Sequence, residues 1–161
     1  MRIFFDTEFV DTGDRIILIS IGLVREDDYE FYAELETPET LRNVPVSQWV
    51  KDNVYPHLDS LHRFHTVWSR AALAGALKLW VGEKPEFWAY VADYDWVALS
   101  QLYGPLVNRP VGWPLTARDA YQLPDFEKYV VKPDKPHHAL SDARALKASF
   151  LAWEKAQHGI L

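Results

Sequence analysis

Residues 2–10 read Arg-Ile-Phe-Phe-Asp-Thr-Glu-Phe-Val, and the fold turns on how this stretch is read. Arg2 to Phe5 predicts a first strand, with Asp6-Thr7-Glu8 at its end. Side chains two apart on a strand share a face. Asp6 and Glu8 therefore point the same way, and two such carboxylates repel unless a cation lies between them. Apolar neighbours, Ile3 to Phe5 and Phe9 to Val10, imply a partly buried site, where unpaired carboxylates are costly. Taken alone, an Asp-x-Glu tripeptide is only a polar strand end.

Beyond the turn Thr12-Gly13-Asp14, Ile16 to Val24 is a long apolar, β-branched run that predicts a second, buried strand. Tyr29 to Leu35 alternates as a third, after the polar turn Glu26-Asp27-Asp28. Three early strands joined by tight turns suggest an antiparallel meander. A helical stretch follows over Val46 to Val54 and stops at Pro56. Ser69 to Trp80 has the helical period, and Gly82 is placed to cap it. Glu86 to Val91 predicts a fourth strand and Asp95 to Tyr103 a short helix. Leu115 to Arg118 is a candidate fifth strand, and Asp119 to Leu123 a helix start. Residues 131–136 form a loop rich in Pro and Lys. Ala139 to Gln157 predicts a helix with Phe150 and Trp153 on its apolar side. Strands followed by alternating helix and strand make an α/β pattern with a mixed sheet. No repeat or linker interrupts residues 1–161, so one domain is expected.

The composition narrows the chemistry. The chain has 161 residues, 48% of them hydrophobic, and 23 aromatic residues (7 Trp, 8 Tyr, 8 Phe), which fits a packed globular protein. It has no cysteine. That excludes disulfides, thiolate zinc sites and cysteine nucleophiles. Any metal must be held by Asp, Glu or His, and oxygen ligands favour Mg²⁺ or Mn²⁺. The net charge of −6 counts against an extended nucleic-acid groove. It allows an enzyme that grips only the last few nucleotides of a strand. Acidic residues interrupt the N-terminal apolar run by position 6, so a signal peptide is not expected. No apolar stretch approaches the length of a membrane span. The expectation is a cytoplasmic protein.

Two later segments carry further candidate ligands. Asp93-Tyr94-Asp95 follows the apolar strand Phe87 to Val91, where either carboxylate would serve equally as a helix N-cap. His137-His138-Ala139-Leu140-Ser141-Asp142 opens the last helix. Alone, it reads as a solvated His pair and an aspartate favoured in a first helical turn. The His pair with Asp142 would also suit zinc, but no third nitrogen or sulfur ligand is evident.

The conjunction is more specific than its parts. Asp-x-Glu near the N-terminus, Tyr-Asp after a middle strand and His-x-Ala-Leu-x-Asp opening a late helix resemble the three exonuclease motifs of the DEDD superfamily. Order and spacing are similar to those of its small members, RNase T and oligoribonuclease. The whole chain most resembles the actinobacterial and phage group called polyadenylate-specific 3′-exoribonuclease AS. That group also begins with a strand ending Asp-Thr-Glu-Phe, here Asp6 to Phe9, and carries a Trp-Ala-x-Val-x-x-Tyr-Asp segment, here Trp88 to Asp95.

The resemblance implies an RNase H-like exonuclease fold, with a mixed five-stranded sheet flanked by helices. It implies a 3′→5′ exoribonuclease acting on RNA 3′ ends, with two Mg²⁺ or Mn²⁺ ions per site. By the family pattern Asp6 bridges both metals, Glu8 and Asp142 hold the one that activates water, and Asp95 supports the second. His137 is the general base of the DEDDh pattern, five residues before Asp142. His138 occupies the position of the Tyr in the sister DEDDy pattern. Asp95, preceded by Tyr94, fits the second motif better than Asp93. Thr7 and Phe9 would contact substrate, with Phe9 stacking on the terminal base. A core position for Phe9 is the plainer alternative. Many relatives carry Asn four residues before the second-motif Asp, where this chain has Val91, so a polar substrate contact is missing. Related small exonucleases pair, so a homodimer is expected. An exonuclease for DNA ends and an inactive binding module stay open as alternatives.

Overall fold

Tight turns join the first three strands into an antiparallel meander, and this meander forms more than half of the sheet. The computed structural model describes residues 1–35, 44–61 and 67–159. Strands β1 (Arg2–Asp11), β2 (Ile16–Arg25) and β3 (Glu30–Leu35) pair antiparallel in sequence order. Helix α1 (Gln48–Asn53) follows, then strand β4 (Val67–Trp68), helix α2 (Arg70–Val81), strand β5 (Glu86–Ala89), helix α3 (Asp93–Gln101), strand β6 (Arg118–Asp119) and helix α4 (Ala139–Gln157). The sheet runs β4-β3-β2-β1-β5-β6, with β5 parallel to β1, β4 parallel to β3 and β6 parallel to β5.

This is an α/β protein with a mixed six-stranded sheet between helices. β2 is buried along nearly its whole length because both faces are covered. On one face Ile3, Phe5, Ile21 and Leu23 pack with Leu73 and Leu77 of α2 and Leu99 of α3. On the other, Phe4 and Trp88 meet Leu146 and Phe150 of α4. The alternation of Ile3 and Phe5 against Phe4 is the period of two that a strand dictates. Among the described residues no helix is long and apolar enough to cross a membrane.

Several expectations are corrected. The sheet has six strands, not five, because Val67–Trp68 adds an edge strand. Two residues are too few to show a period. The strand expected at Leu115 to Arg118 is instead Arg118–Asp119. The helix expected over Asp119 to Leu123 is one 3₁₀ turn, Ala120–Gln122, whose N–H at Tyr121 is capped by the Asp119 carboxylate. α3 begins at Asp93, two residues before the expected start. β1 does not end at the carboxylates. It runs on to Asp11, because β2 stays paired with it through Asp11 opposite Ile16.

Candidate active site

β5 pairs with β1 only along Arg2, Ile3 and Phe4. Past that point β1 keeps β2 on one side but, among the described residues, has no strand on the other. The backbone groups left over need partners. Asp95, in the first turn of α3, supplies one: its carboxylate accepts the Thr7 N–H at 2.9 Å and the Thr7 hydroxyl at 2.5 Å. Asp95 is buried and Asp93 is exposed, so α3 presents one of its two aspartates to β1 and the other to solvent.

On the opposite face the N-terminus of α4 lies directly on β2. The position that makes this possible is Gly22, which pairs with Asp6. A Cβ at Gly22 would stand 2.3 Å from the Leu140 nitrogen and 2.4 Å from the Ala139 carbonyl carbon. Only a residue without a side chain admits the helix this close. Asp142, in the first turn of α4, is thereby delivered to β1. Asp6, Glu8 and Asp142 each present an oxygen, and the three oxygens lie within 4.8 Å of one another.

The electrostatics of this cluster are unfavourable as it stands. Burial first, then the charges of Asp95, Glu8 and Asp142, push the Asp6 carboxyl well above its ordinary range. Burial, followed by Asp142 and Asp95, pushes Glu8 up to about 8. Burial raises Asp95 to about 7 against the opposing effect of the Thr7 hydrogen bonds. Asp142 is also raised by burial, offset in part by His137 and by the His138 N–H, which donates to its carboxylate at 3.1 Å. Among the described residues, none of the ion pairs includes any of these four carboxylates. Oxygen ligands without a cationic side chain, mutually repelling and partly desolvated, are what a hard divalent cation fits.

The two histidines have different surroundings. His138 is buried and caps α4: its Nδ1 accepts the Ser141 N–H at 3.4 Å, its Nε2 lies 3.5 Å from Asp59, and its ring stacks on Tyr32. Burial lowers its pKa, against the pull of Asp59. His137 is half-buried on the preceding loop, at φ +62, and makes a T-shaped contact with Trp49 of α1 at 4.9 Å. Phe9 is half-buried and stacks on exposed Tyr94, with centroids 5.7 Å apart and planes 11° apart.

Sequence reasoning missed Gly22 and the support behind His138. A lone glycine inside an apolar strand run is itself a sign of close backbone approach, so Gly22 was findable. The support was not. Glu34, 2% exposed, accepts the Tyr32 hydroxyl and the N–H groups of Asp59 and Ser60, an arrangement that crosses three segments. Trp49, exposed on a short helix, carries no sequence signal toward His137.

No protein-family model matches the chain. Two curated Mycobacterium tuberculosis proteins, named 3′-5′ exoribonuclease Rv2179c and 3′-5′ exoribonuclease MT2234.1, are each 37% identical to it over 152 residues. The match covers 89% of this chain and 88% of each relative. Identity of that order, end to end across a fold that gathers Asp6, Glu8 and Asp142, means that the chain belongs to the family of these 3′-5′ exoribonucleases.

Proposed function

We propose that this protein is a metal-dependent 3′→5′ exoribonuclease of the DEDDh type, on an RNase H-like fold, releasing nucleoside 5′-monophosphates from RNA 3′ ends. The observation that carries this reading is the cluster of Asp6, Glu8 and Asp142 oxygens within 4.8 Å, with no cationic side chain paired to it among the described residues. Asp6, Glu8 and Asp142 hold Mg²⁺ or Mn²⁺, and Asp95 supports the second ion of a pair. When bound, the ions supply charge stabilisation for the phosphodiester and its leaving 3′-oxygen.

The remaining work falls to the chain's own residues. His137 takes the proton of the attacking water, because imidazole is the side chain whose ordinary pKa is nearest neutrality. His138 has both ring nitrogens engaged and serves instead to hold the start of α4. Thr7 fixes Asp95 against β1. Phe9, backed by Tyr94, offers a ring to the terminal base without selecting which base it is. The site works in the cytoplasm, in a homodimer.

The test is product analysis with 5′-labelled RNA and Mg²⁺ or Mn²⁺. A ladder shortening from the 3′ end, with 5′-monophosphates released, is expected. Full trimming in excess EDTA would overturn the metal requirement. Faster trimming of a matched DNA oligomer would overturn the RNA assignment.

A further inference from the structure

One cavity adjoins the carboxylate cluster on the α4 side, and a second lies beside it. The first, of about 160 Å³, is lined by Tyr90, Phe126, Val131 and Leu146, together with Asp6 and Asp142. The second, of about 260 Å³, is lined by Tyr90, Tyr121, Phe126 and Glu127. Tyr90 and Phe126 line both, so the two hollows lie side by side as a trough, and the first of them reaches Asp6 and Asp142. Its aromatic side is built of face and edge contacts. Tyr90 meets Tyr121 in a T-shape at 5.7 Å and Phe126 at 6.0 Å. Tyr90 is 39% exposed and Tyr121 63% exposed, so their rings are available to a ligand. Ser149 of α4 also lines the first cavity, where it accepts the Val131 N–H at 2.9 Å and donates to the Ala145 carbonyl.

We infer that this trough holds the bases of the RNA strand on the 5′ side of the scissile bond, stacked on Tyr90 and Tyr121. The inference rests on the exoribonuclease reading above. An exonuclease must accommodate one leaving nucleoside on one flank of its metal site and the retained strand on the other. Phe9 and Tyr94 form a single stacked pair, and Phe9 is next to Glu8 in sequence. The trough offers two exposed rings, Tyr90 and Tyr121, and its first hollow is lined by Asp6 and Asp142, where the phosphodiester must lie. Stacking on aromatic rings accepts any base, which suits a strand that moves through one nucleotide at a time. A chain of net charge −6 also needs an uncharged means of holding RNA beyond its last phosphate.

Binding and cleavage test this separately. A fluorescein-labelled RNA octanucleotide is titrated by anisotropy in EDTA against the wild type, Tyr90→Ala, Tyr121→Ala, Tyr121→Phe and a remote control, Leu79→Ala. The alanine variants should bind roughly 5- to 100-fold more weakly, the scale of one base–aromatic stack, while Tyr121→Phe and Leu79→Ala keep wild-type affinity. With Mg²⁺ or Mn²⁺, the ratio of kcat/KM for octanucleotide over dinucleotide should fall in Tyr121→Ala, since a dinucleotide has only one base on the 5′ side and reaches Tyr90 alone. Unchanged affinity and ratio in folded alanine variants would overturn the trough, as would no wild-type binding. Tyrosine-dependent binding without any trimming would leave the trough standing and overturn the exoribonuclease reading instead.

Discussion

Val91 sits at φ +58, a conformation that a β-branched residue adopts only under strain. It is half exposed, and its N–H donates to Asp119 at 2.9 Å, so the turn after β5 is held by that bond and not by the side chain. Asn tolerates the left-handed region far better. Val91→Asn should therefore stabilise the protein by about 1 kcal/mol, seen as a higher Tm in thermal unfolding. The histidines make a second residue-scale prediction. His137→Ala should cut the trimming rate by roughly 10²–10⁴-fold with an unchanged Tm, the usual effect of losing a general base. His138→Ala should lower stability by about 1 kcal/mol, because it removes a helix cap. Unfolding curves and single-turnover rates on the same samples separate the two. A mild His137→Ala with a crippled but stable His138→Ala would reverse the assignment.

Elements meet at the site through two contacts. The first is α4 on Gly22. Gly22→Ala would force backbone atoms at Ala139 and Leu140 to retreat, at a cost of about 1–3 kcal/mol, and would carry Asp142 away from Asp6. Mn²⁺ affinity, measured by calorimetry, should fall more steeply than it does for Gly75→Ala, where a Cβ meets nothing. The second contact is α3 on β1 through Asp95 and Thr7. Asp95→Asn should abolish trimming at saturating Mn²⁺, whereas exposed Asp93→Asn should keep most of it. Equal loss in both would mean that the two carboxylates act together. At this scale the sequence was informative wherever a period ran long enough. β2, α2 and α4 were legible because they are apolar or amphipathic over ten residues or more. β4, β6 and the 3₁₀ turns were not, because two to four residues carry no period and owe their form to neighbours. Asp6, Glu8 and Asp142 were legible as types at a spacing. That their oxygens fall within 4.8 Å depends on Gly22 and on where β5 stops, which no local pattern encodes.

For the molecule as a whole, the raised carboxylates make stability depend on pH in an unusual direction. Folding raises Glu8 from 4.5 to about 8 and Asp95 from 3.8 to about 7, so between those values the native state binds more protons than the unfolded chain. Stability of the metal-free protein should therefore fall as pH rises from about 4 to about 8, since it decreases wherever the native state holds the extra protons. Thermal unfolding in EDTA across this range checks it. Asp6→Asn should flatten the slope, and Mn²⁺ should raise Tm most at the alkaline end, where the carboxylates are charged. A flat Tm in EDTA would mean that the cluster is not coupled in solution. α4 completes this arrangement from far along the chain. Lys147, buried in its middle, donates to the Arg25 and Glu26 carbonyls and to Asp28, so the helix is fastened to the β2–β3 turn as well as to Gly22. The cluster thus joins positions 6 and 8 to position 142, and among the described residues no other carboxylate takes the place of the last. A chain still being synthesised makes Asp6 and Glu8 more than a hundred residues before Asp142, and cannot close the cluster until then. On the metal-dependent reading proposed above, the site closes only when α4 docks, so the order of synthesis itself acts as a safety catch on the nascent enzyme.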